Sequence, residues 1–308
     1  MNLLYLQYAL EVARAGSINK AAENLYMGQP NLSRAIKDLE SSLGITIFER
    51  SPRGMIPTPQ GEELLRHAKK VVRDVEIIEN LYRRGSTRAE RFAISAPRSA
   101  YVSHAFAEFS KKVERLERTE LFYNEVSTER ALKNIMDHDY DLGVVRLDER
   151  GREPFLRSLE ENGLYYDSIA EFSPVLVMSK GCPLAGLDNV TLSALAPYVE
   201  LSLVDPRATS ISAAAQRRDD LPESSEHRIF AFDRASCYAI LGENDNVFMW
   251  SEPLPQPLLQ RYGLVQKSSR LAEKRLSDIL IYRDDHALSR LDKLFITELC
   301  DSRRKFIR

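Results

Sequence analysis

Two short apolar stripes separated by a three-residue break constrain this chain most. Ile18, Ala21, Ala22 and Leu25 fall at i, i+3, i+4 and i+7, and Leu32, Ile36, Leu39 and Leu43 recur at steps of four, three and four. Each set lines one face of a helix. Tyr26-Met27-Gly28 supplies the turn between them. Pro30 suits the first position of the second of these helices, where its missing N–H costs nothing. Ser17 can accept an orphan N–H at the start of the first. An earlier stripe, Leu3, Leu6, Leu10 and Ala13, predicts a helix over 3–13 that Gly16 ends. The small pair Ala21-Ala22 lets neighbouring helices cross closely. Three such helices, with a glycine-containing turn before the third, describe a helix-turn-helix.

The opposite face of the third helix presents Ser33, Arg34, Lys37 and Ser41, which can donate to phosphates and base edges. The plainer alternative is the solvated side of a three-helix bundle. Ile45 to Phe48 reads as a strand, Ser51-Pro52-Arg53-Gly54 as a turn and Met55-Ile56 as a return strand: a hairpin of wing length with Arg50 and Arg53 near its tip. Thr58 can cap a further helix with Pro59 first and Glu62 and Glu63 in its first turn, where the macrodipole favours anions. Along that helix Leu64, Ala68, Val71, Val75, Ile78 and Tyr82 step by four, three, four, three and four. This is a heptad seam, which requires a partner helix and so predicts a dimer. Packing onto the chain's own domain is the alternative. Gly85-Ser86-Thr87 reads as a hinge. Net charge adds little: residues 1–90 hold 13 basic and 11 acidic residues, and the remainder 30 and 34.

From residue 91 the texture changes to alternating strands and helices. Strands are expected at 92–96, 121–126, 141–145, 174–178, 198–204, 229–232, 247–250, near 264 and at 280–282. Helices are expected at 100–113, 129–137, 191–196, 209–217, 234–242 and 288–299. The alternation predicts a parallel α/β architecture. In such sheets ligands sit beyond the carboxyl ends of strands, against helix N-termini. Those ends carry Arg98, Ser99, Ser127, Thr128, Arg146, Ser202 and the loop leading to Thr209. Arg98 and Arg146 together point to an anionic effector. The alternatives are arginines paired with surface carboxylates and hydroxyls that merely cap helices.

No nucleophile elbow, phosphate-binding glycine loop or clustered His/Cys/Asp set is present, so an enzyme is not expected. Cys182, Cys237 and Cys300 are sparse and far apart, which fits a reduced cytoplasm and provides neither a disulfide framework nor a metal site. A cysteine redox switch and an effector-independent regulator remain competing readings. No apolar run long enough to span a membrane and no signal peptide is read, so a cytoplasmic location without membrane attachment is expected.

The stretches "ARAGSINKAAENL", "GQPNLSRAIKDLESSLGITIFER" and "PTPQG" closely resemble the LysR-type transcriptional regulator family. "DLGVV" and "CPLA" extend the resemblance loosely into the C-terminal region, with Cys182 where the family often has His. The resemblance implies a winged helix-turn-helix over 1–58, a dimerising linker helix and hinge over 59–90, and an effector-binding domain over 91–308. That domain resembles periplasmic binding proteins, with one subdomain at about 91–164 plus 268–308 and the other at about 165–267. Mapped onto this chain, family DNA contacts fall on Gln29, Pro30, Asn31, Ser33, Arg34, Lys37 and Arg53, with Ser17 and Arg50 beside them. Hydroxyls at Ser99, Ser127, Thr128 and Ser202 fit family effector positions. Implied partners are double-stranded DNA, a second copy in a homodimer or homotetramer, a small-molecule effector and RNA polymerase. No cofactor is implied.

Overall fold

The apolar stripes become the buried faces of three helices in a computed structural model that describes residues 2–52, 54–82, 90–114, 118–137, 140–204, 225, 227–272 and 274–307. Helix α1 (Leu3–Ala15) buries Leu6, Ala9 and Val12, and α2 (Ile18–Asn24) buries Ala21 and Ala22. Helix α3 (Gln29–Leu43) buries Leu32, Ala35, Ile36 and Leu39. Ser17 caps α2 through a long bond from the Lys20 N–H at 3.5 Å. Gly28 opens α3 without any side-chain cap.

A two-stranded wing follows, with β1 (Phe48–Ser51) antiparallel to β2 (Gly54–Pro57). The first strand therefore starts three residues later than the β-branched run at 45–48 predicts. The reason is Glu40: its Oε1 accepts the N–H groups of Ile47 at 2.7 Å and Phe48 at 3.3 Å, which draws this segment onto α3 instead of into a ladder. The wing is anchored at both ends. Met55 N–H donates to Gly16 O at 2.8 Å, and Gly54 takes φ 109 with no room for a Cβ beside that carbonyl. Thr58 Oγ1 donates to Thr46 O at 2.5 Å and accepts from Gly61 N–H at 2.9 Å. A Cβ at Gly61 would lie 2.1 Å from Ile47 O, so only glycine permits this approach.

Helix α4 (Pro59–Tyr82) divides the expected heptad seam. Ala68, with Leu65, is buried in the same core as Leu6, Val12 and Ile36, and Leu64 packs against that core. Leu64 and Ala68 thus pack within their own domain, the alternative that the seam left open. Val71 (39% exposed) and Ile78 (53% exposed) remain open, and Val75 is half-buried. The side chain of Tyr82 lies outside the described residues, as do Arg53, Thr209, the expected helix at 209–217 and the hinge at 85–87.

The larger unit contains two five-stranded sheets. The chain first lays down β3 (Glu90–Ala96), α5 (Ala100–Val113), β4 (Thr119–Glu125), α6 (Thr128–Met136), β5 (Leu142–Asp148), α7 (Glu149–Glu161) and β6 (Leu164–Phe172). It then builds β7 (Val175–Ser179), α8 (Leu192–Leu195), β8 (Val199–Leu203), β9 (His227–Ala231), α9 (Arg234–Glu243), β10 (Val247–Ser251), α10 (Gln256–Arg261) and β11 (Leu264–Ser268). Finally it returns through β12 (Leu276–Arg283) and α11 (Arg290–Phe306). Sheet orders are β4-β3-β5-β12-β6 and β11-β7-β10-β8-β9.

Both sheets are mixed, which corrects the parallel expectation. β3 and β5 pair in parallel, as β8 does with both β9 and β10. β12 runs antiparallel to β5 and β6, and β7 antiparallel to β10 and β11. The first subdomain also extends past residue 164, because β6 belongs to its sheet and ends at Phe172. Helix α7 and strand β6 are absent from the sequence-based expectation. Gly151 and Pro154 read as breakers there, yet Asp148 caps the helix by accepting from Gly151 N–H at 2.8 Å, and Pro154 is tolerated inside it.

Each sheet carries its own apolar core. In the first, the rings of Phe92, Phe109 and Phe295 meet at 4.8 to 5.6 Å, joining β3, α5 and α11. Ser302 Oγ donates to Tyr101 O at 2.7 Å and fastens α11 to α5 again. In the second, Val177, Leu201, Leu241, Val247 and Met249 form the centre. Among the described residues no helix is long and apolar enough to cross a membrane.

Candidate nucleic-acid interface and regulatory cleft

Burial of Leu32, Ala35, Ile36 and Leu39 fixes the rotation of α3 and so decides what faces outward. Pro30, Asn31, Arg34 and Lys37 are exposed, and Gln29 and Ser33 are half-buried at the start of the same helix. Arg50 is exposed on β1. Among the described residues, Arg34, Lys37 and Arg50 have no ion-pair partner. Ser17 is half-buried and spends one acceptor position on its cap. This surface is a donor-rich helix N-terminus together with a hairpin that exposes Arg50. Such an arrangement suits major-groove base edges and flanking phosphates.

Three of the predicted effector residues, Ser127, Thr128 and Arg146, are already engaged within the larger unit. Arg146 stands inside β5 rather than beyond its end, directly across from Asp278 on β12. Its Nε and Nη2 donate to the two oxygens of Asp278, both at 2.7 Å. Nη2 also donates to Glu252 Oε2 at 2.5 Å, and the guanidinium lies over the Phe172 ring at 4.8 Å. Burial alone would lower its pKa, but Asp278 and Glu252 outweigh that and hold it well above the ordinary arginine value. Glu252 shifts the other way. Burial raises its carboxyl above the usual range, and neighbouring Asp278 adds to this against the pull of Arg146. Arg146 is therefore a doubly paired ion, held by the chain's own carboxylates as the alternative reading of these arginines expected.

The hydroxyls divide similarly. Thr128 Oγ1 donates to Arg146 O at 2.9 Å and accepts from Arg146 N–H at 3.2 Å, tying α6 to β5. Ser127 caps α6 through Arg130 N–H at 3.4 Å. Ser202 is buried in β8. Arg98 is half-buried in the loop from β3 to α5, within electrostatic reach of Cys237. Ser99 differs from all of these: it is fully buried at the N-cap of α5, and its Oγ makes no hydrogen bond.

Four residues absent from the sequence expectation complete the cleft. Glu252 follows β10 and accepts the Ala100 N–H at the first turn of α5. Asp278 also accepts from Tyr101 OH at 2.9 Å. Arg234, the first residue of α9, pairs with Glu125 at the end of β4 at 2.6 Å, and Tyr123 OH donates to the same carboxylate at 3.0 Å. Signals for them existed. Asp278 is a lone carboxylate within an apolar strand, and Arg234 puts a cation at a helix start, where the macrodipole disfavours it.

Cys182 and Cys237 are poor nucleophiles. Burial pushes the Cys237 thiol up to about 11 and raises that of Cys182. Reactive thiols need the opposite shift.

Residues 3–62 match the family described as bacterial regulatory helix-turn-helix protein, lysR family. The chain is 35% identical over 98 residues to the uncharacterized HTH-type transcriptional regulator YcgK of Bacillus subtilis, covering 32% of this chain and 30% of that one. It is 28% identical over 181 residues to the HTH-type transcriptional regulator YofA of Bacillus velezensis, covering 56% of this chain and 62% of that one. The matched stretches thus span less than two thirds of either relative's length. Among solved structures, the full-length regulator LysG of Corynebacterium glutamicum, determined with bound effector Arg, superposes with a TM-score of 0.60 at 16% identity over 100% of both chains. That likeness shows a shared fold. Residues 3–62 therefore carry a helix-turn-helix of the bacterial lysR type, and the remainder of the chain shares the fold of these regulators.

Proposed function

We propose that this chain is a DNA-binding transcription regulator that reads its operator with α3 and responds to a small molecule held between the two sheets of its larger unit. The observation that carries the reading is the outer face of α3: Asn31, Arg34 and Lys37 stand exposed on a helix whose other side is fixed in the core, with both cations unpaired among the described residues. Arg34 serves as a base-reading residue, and Lys37 and Arg50 serve as phosphate contacts. Val71 and Ile78 supply the apolar contact of a homodimer through α4.

Binding curves on cognate and scrambled duplexes at several salt concentrations test the reading. Arg34→Ala is expected to cost about 1–3 kcal/mol on the cognate duplex and to lower the ratio of specific to non-specific affinity. Arg50→Ala is expected to leave that ratio intact and to reduce the salt slope by about one unit. An unchanged ratio for Arg34→Ala would remove α3 as the reader. Dimerisation is tested by sedimentation of Val71→Asp, which is expected to shift toward monomer and to lose affinity for a dyad-symmetric duplex in parallel. An unaltered oligomer excludes this face of α4 as the interface.

A further inference from the structure

The cleft already contains a carboxylate, and it is the protein's own. Glu252 leaves the carboxyl end of β10 and reaches the first turn of α5 from the opposite subdomain. One oxygen accepts the Ala100 N–H and the other accepts from Arg146 at 2.5 Å, and its side chain is only 3% exposed. A helix N-terminus plus an arginine is how proteins commonly hold a carboxylate ligand. Here both donors are spent before any ligand arrives.

Among the described residues, Arg146 and Arg234 face Glu125, Glu252 and Asp278, and Arg98 stands in the loop that opens α5. The three carboxylates outnumber the two arginines paired with them. An incoming carboxylate would meet Glu252 and Asp278 together, with Arg146 already bidentate to Asp278. Among the described residues, two of the four buried side-chain atoms without a hydrogen bond belong to this group. Ser99 Oγ is fully buried at the start of α5 without a hydrogen bond, and Arg234 Nη1 is buried with no partner. A hydroxyl and an N–H fit an uncharged molecule that presents oxygen acceptors.

We propose that Glu252 is the specificity-determining residue of this cleft: it fills the carboxylate position at the start of α5, excludes free carboxylates, and leaves a site for an uncharged, oxygen-bearing ligand that meets Ser99. This rests on the cleft being the effector site of the proposed regulator.

The test is chemical rescue in the full-length protein. Wild type, Glu252→Ala and Glu252→Gln are titrated with sodium acetate, with sodium chloride at matched ionic strength as the control, while thermal unfolding is followed. Glu252→Ala vacates the slot, so acetate is expected to raise its Tm saturably. The wild type and Glu252→Gln, in which the slot stays filled, are expected to gain nothing beyond the chloride control. Benzoate and benzamide form a matched pair for the ligand class, and any saturable shift in the wild type is expected from the amide alone. A saturable acetate or benzoate shift in the wild type, or a shift in Glu252→Gln as large as in Glu252→Ala, overturns the proposal. So does a folded Glu252→Ala that ignores acetate. A Glu252→Ala protein that folds only with acetate supports it, and one that folds in neither salt overturns it. Duplex binding by the same preparations is read separately. Its loss in the wild type would sink the regulator reading and leave the acetate result standing as a property of the cleft.

Discussion

The outer face of α3 and the cleft between the two sheets use much the same chemistry, arginines and short hydroxyls, and they spend it in opposite ways. On α3, Arg34 and Lys37 stand in solvent with no ion-pair partner among the described residues, and the fold holds them only through the apolar residues behind them. In the cleft, Arg146 is held by two carboxylates and an aromatic ring, and Arg234 by Glu125. A surface that meets a polyanion gains from cations that need not first be released. A cleft between two subdomains gains from ions that join them. The same residue type therefore predicts a ligand in one place and an internal strut in the other, and only its partners distinguish the two.

Arg146→Ala tests the strut half of this contrast most strongly. It leaves Glu252 and Asp278 buried without their cation, so unfolding free energy is expected to fall by about 3–5 kcal/mol. Chemical denaturation with an unchanged midpoint and slope would show that the cluster bears no structural load.

A second measurement concerns pH. The folded-state carboxyl of Glu252 lies above its ordinary value of 4.5, through burial first and Asp278 next. The native state therefore holds this proton more tightly than the unfolded chain. Its contribution is fully present below the ordinary glutamate value and is lost as pH rises through the raised one. Glu252→Gln has no such proton. Denaturation of the two proteins across this window is expected to show the wild type losing ground to the variant as pH rises. A pH-independent difference would mean that Glu252 titrates normally.

The smallest effect is expected on the other side of the comparison. Arg34→Ala touches nothing the fold uses, so its unfolding free energy should stay within about 0.5 kcal/mol of the wild type despite the loss in duplex affinity. A larger drop would make Arg34 a structural residue and erase the distinction.

The two regions also differed in how much of them could be read beforehand. The helix-turn-helix was legible almost residue by residue, because its helices follow local apolar spacing and its turn and caps involve neighbours in sequence. The shift of the first wing strand to Phe48–Ser51 was not, since it depends on Glu40 reaching seven and eight residues ahead. In the cleft, Ser99 and Arg146 were found as residues of interest, but Arg146 bonds to residues 106 and 132 positions away. No periodicity reports such a partner. The heptad spacing of α4 is likewise silent on which positions its own domain takes: Ala68 is buried in the core of the helix-turn-helix, whereas Val71 and Ile78 are open. The α7 helix was hidden by Gly151 and Pro154, whose local preference is overridden by the cap at Asp148 and by packing.

Strand β12 has a consequence for how this protein is made. It lies between β5 and β6 and hydrogen-bonds to both, yet it follows every strand of the second sheet in the chain. Until residues 276–283 leave the ribosome, the first sheet has a gap at the position next to β5, and the edge of β5 that β12 will cover is open. Asp278 travels on the same strand, so Arg146 too waits for its bidentate partner. The second sheet is built from an uninterrupted stretch of chain and can close before β12 is made, whereas the first must wait for β12. The interval before β12 docks is when the exposed edge of β5 is most open to wrong partners and most in need of a chaperone.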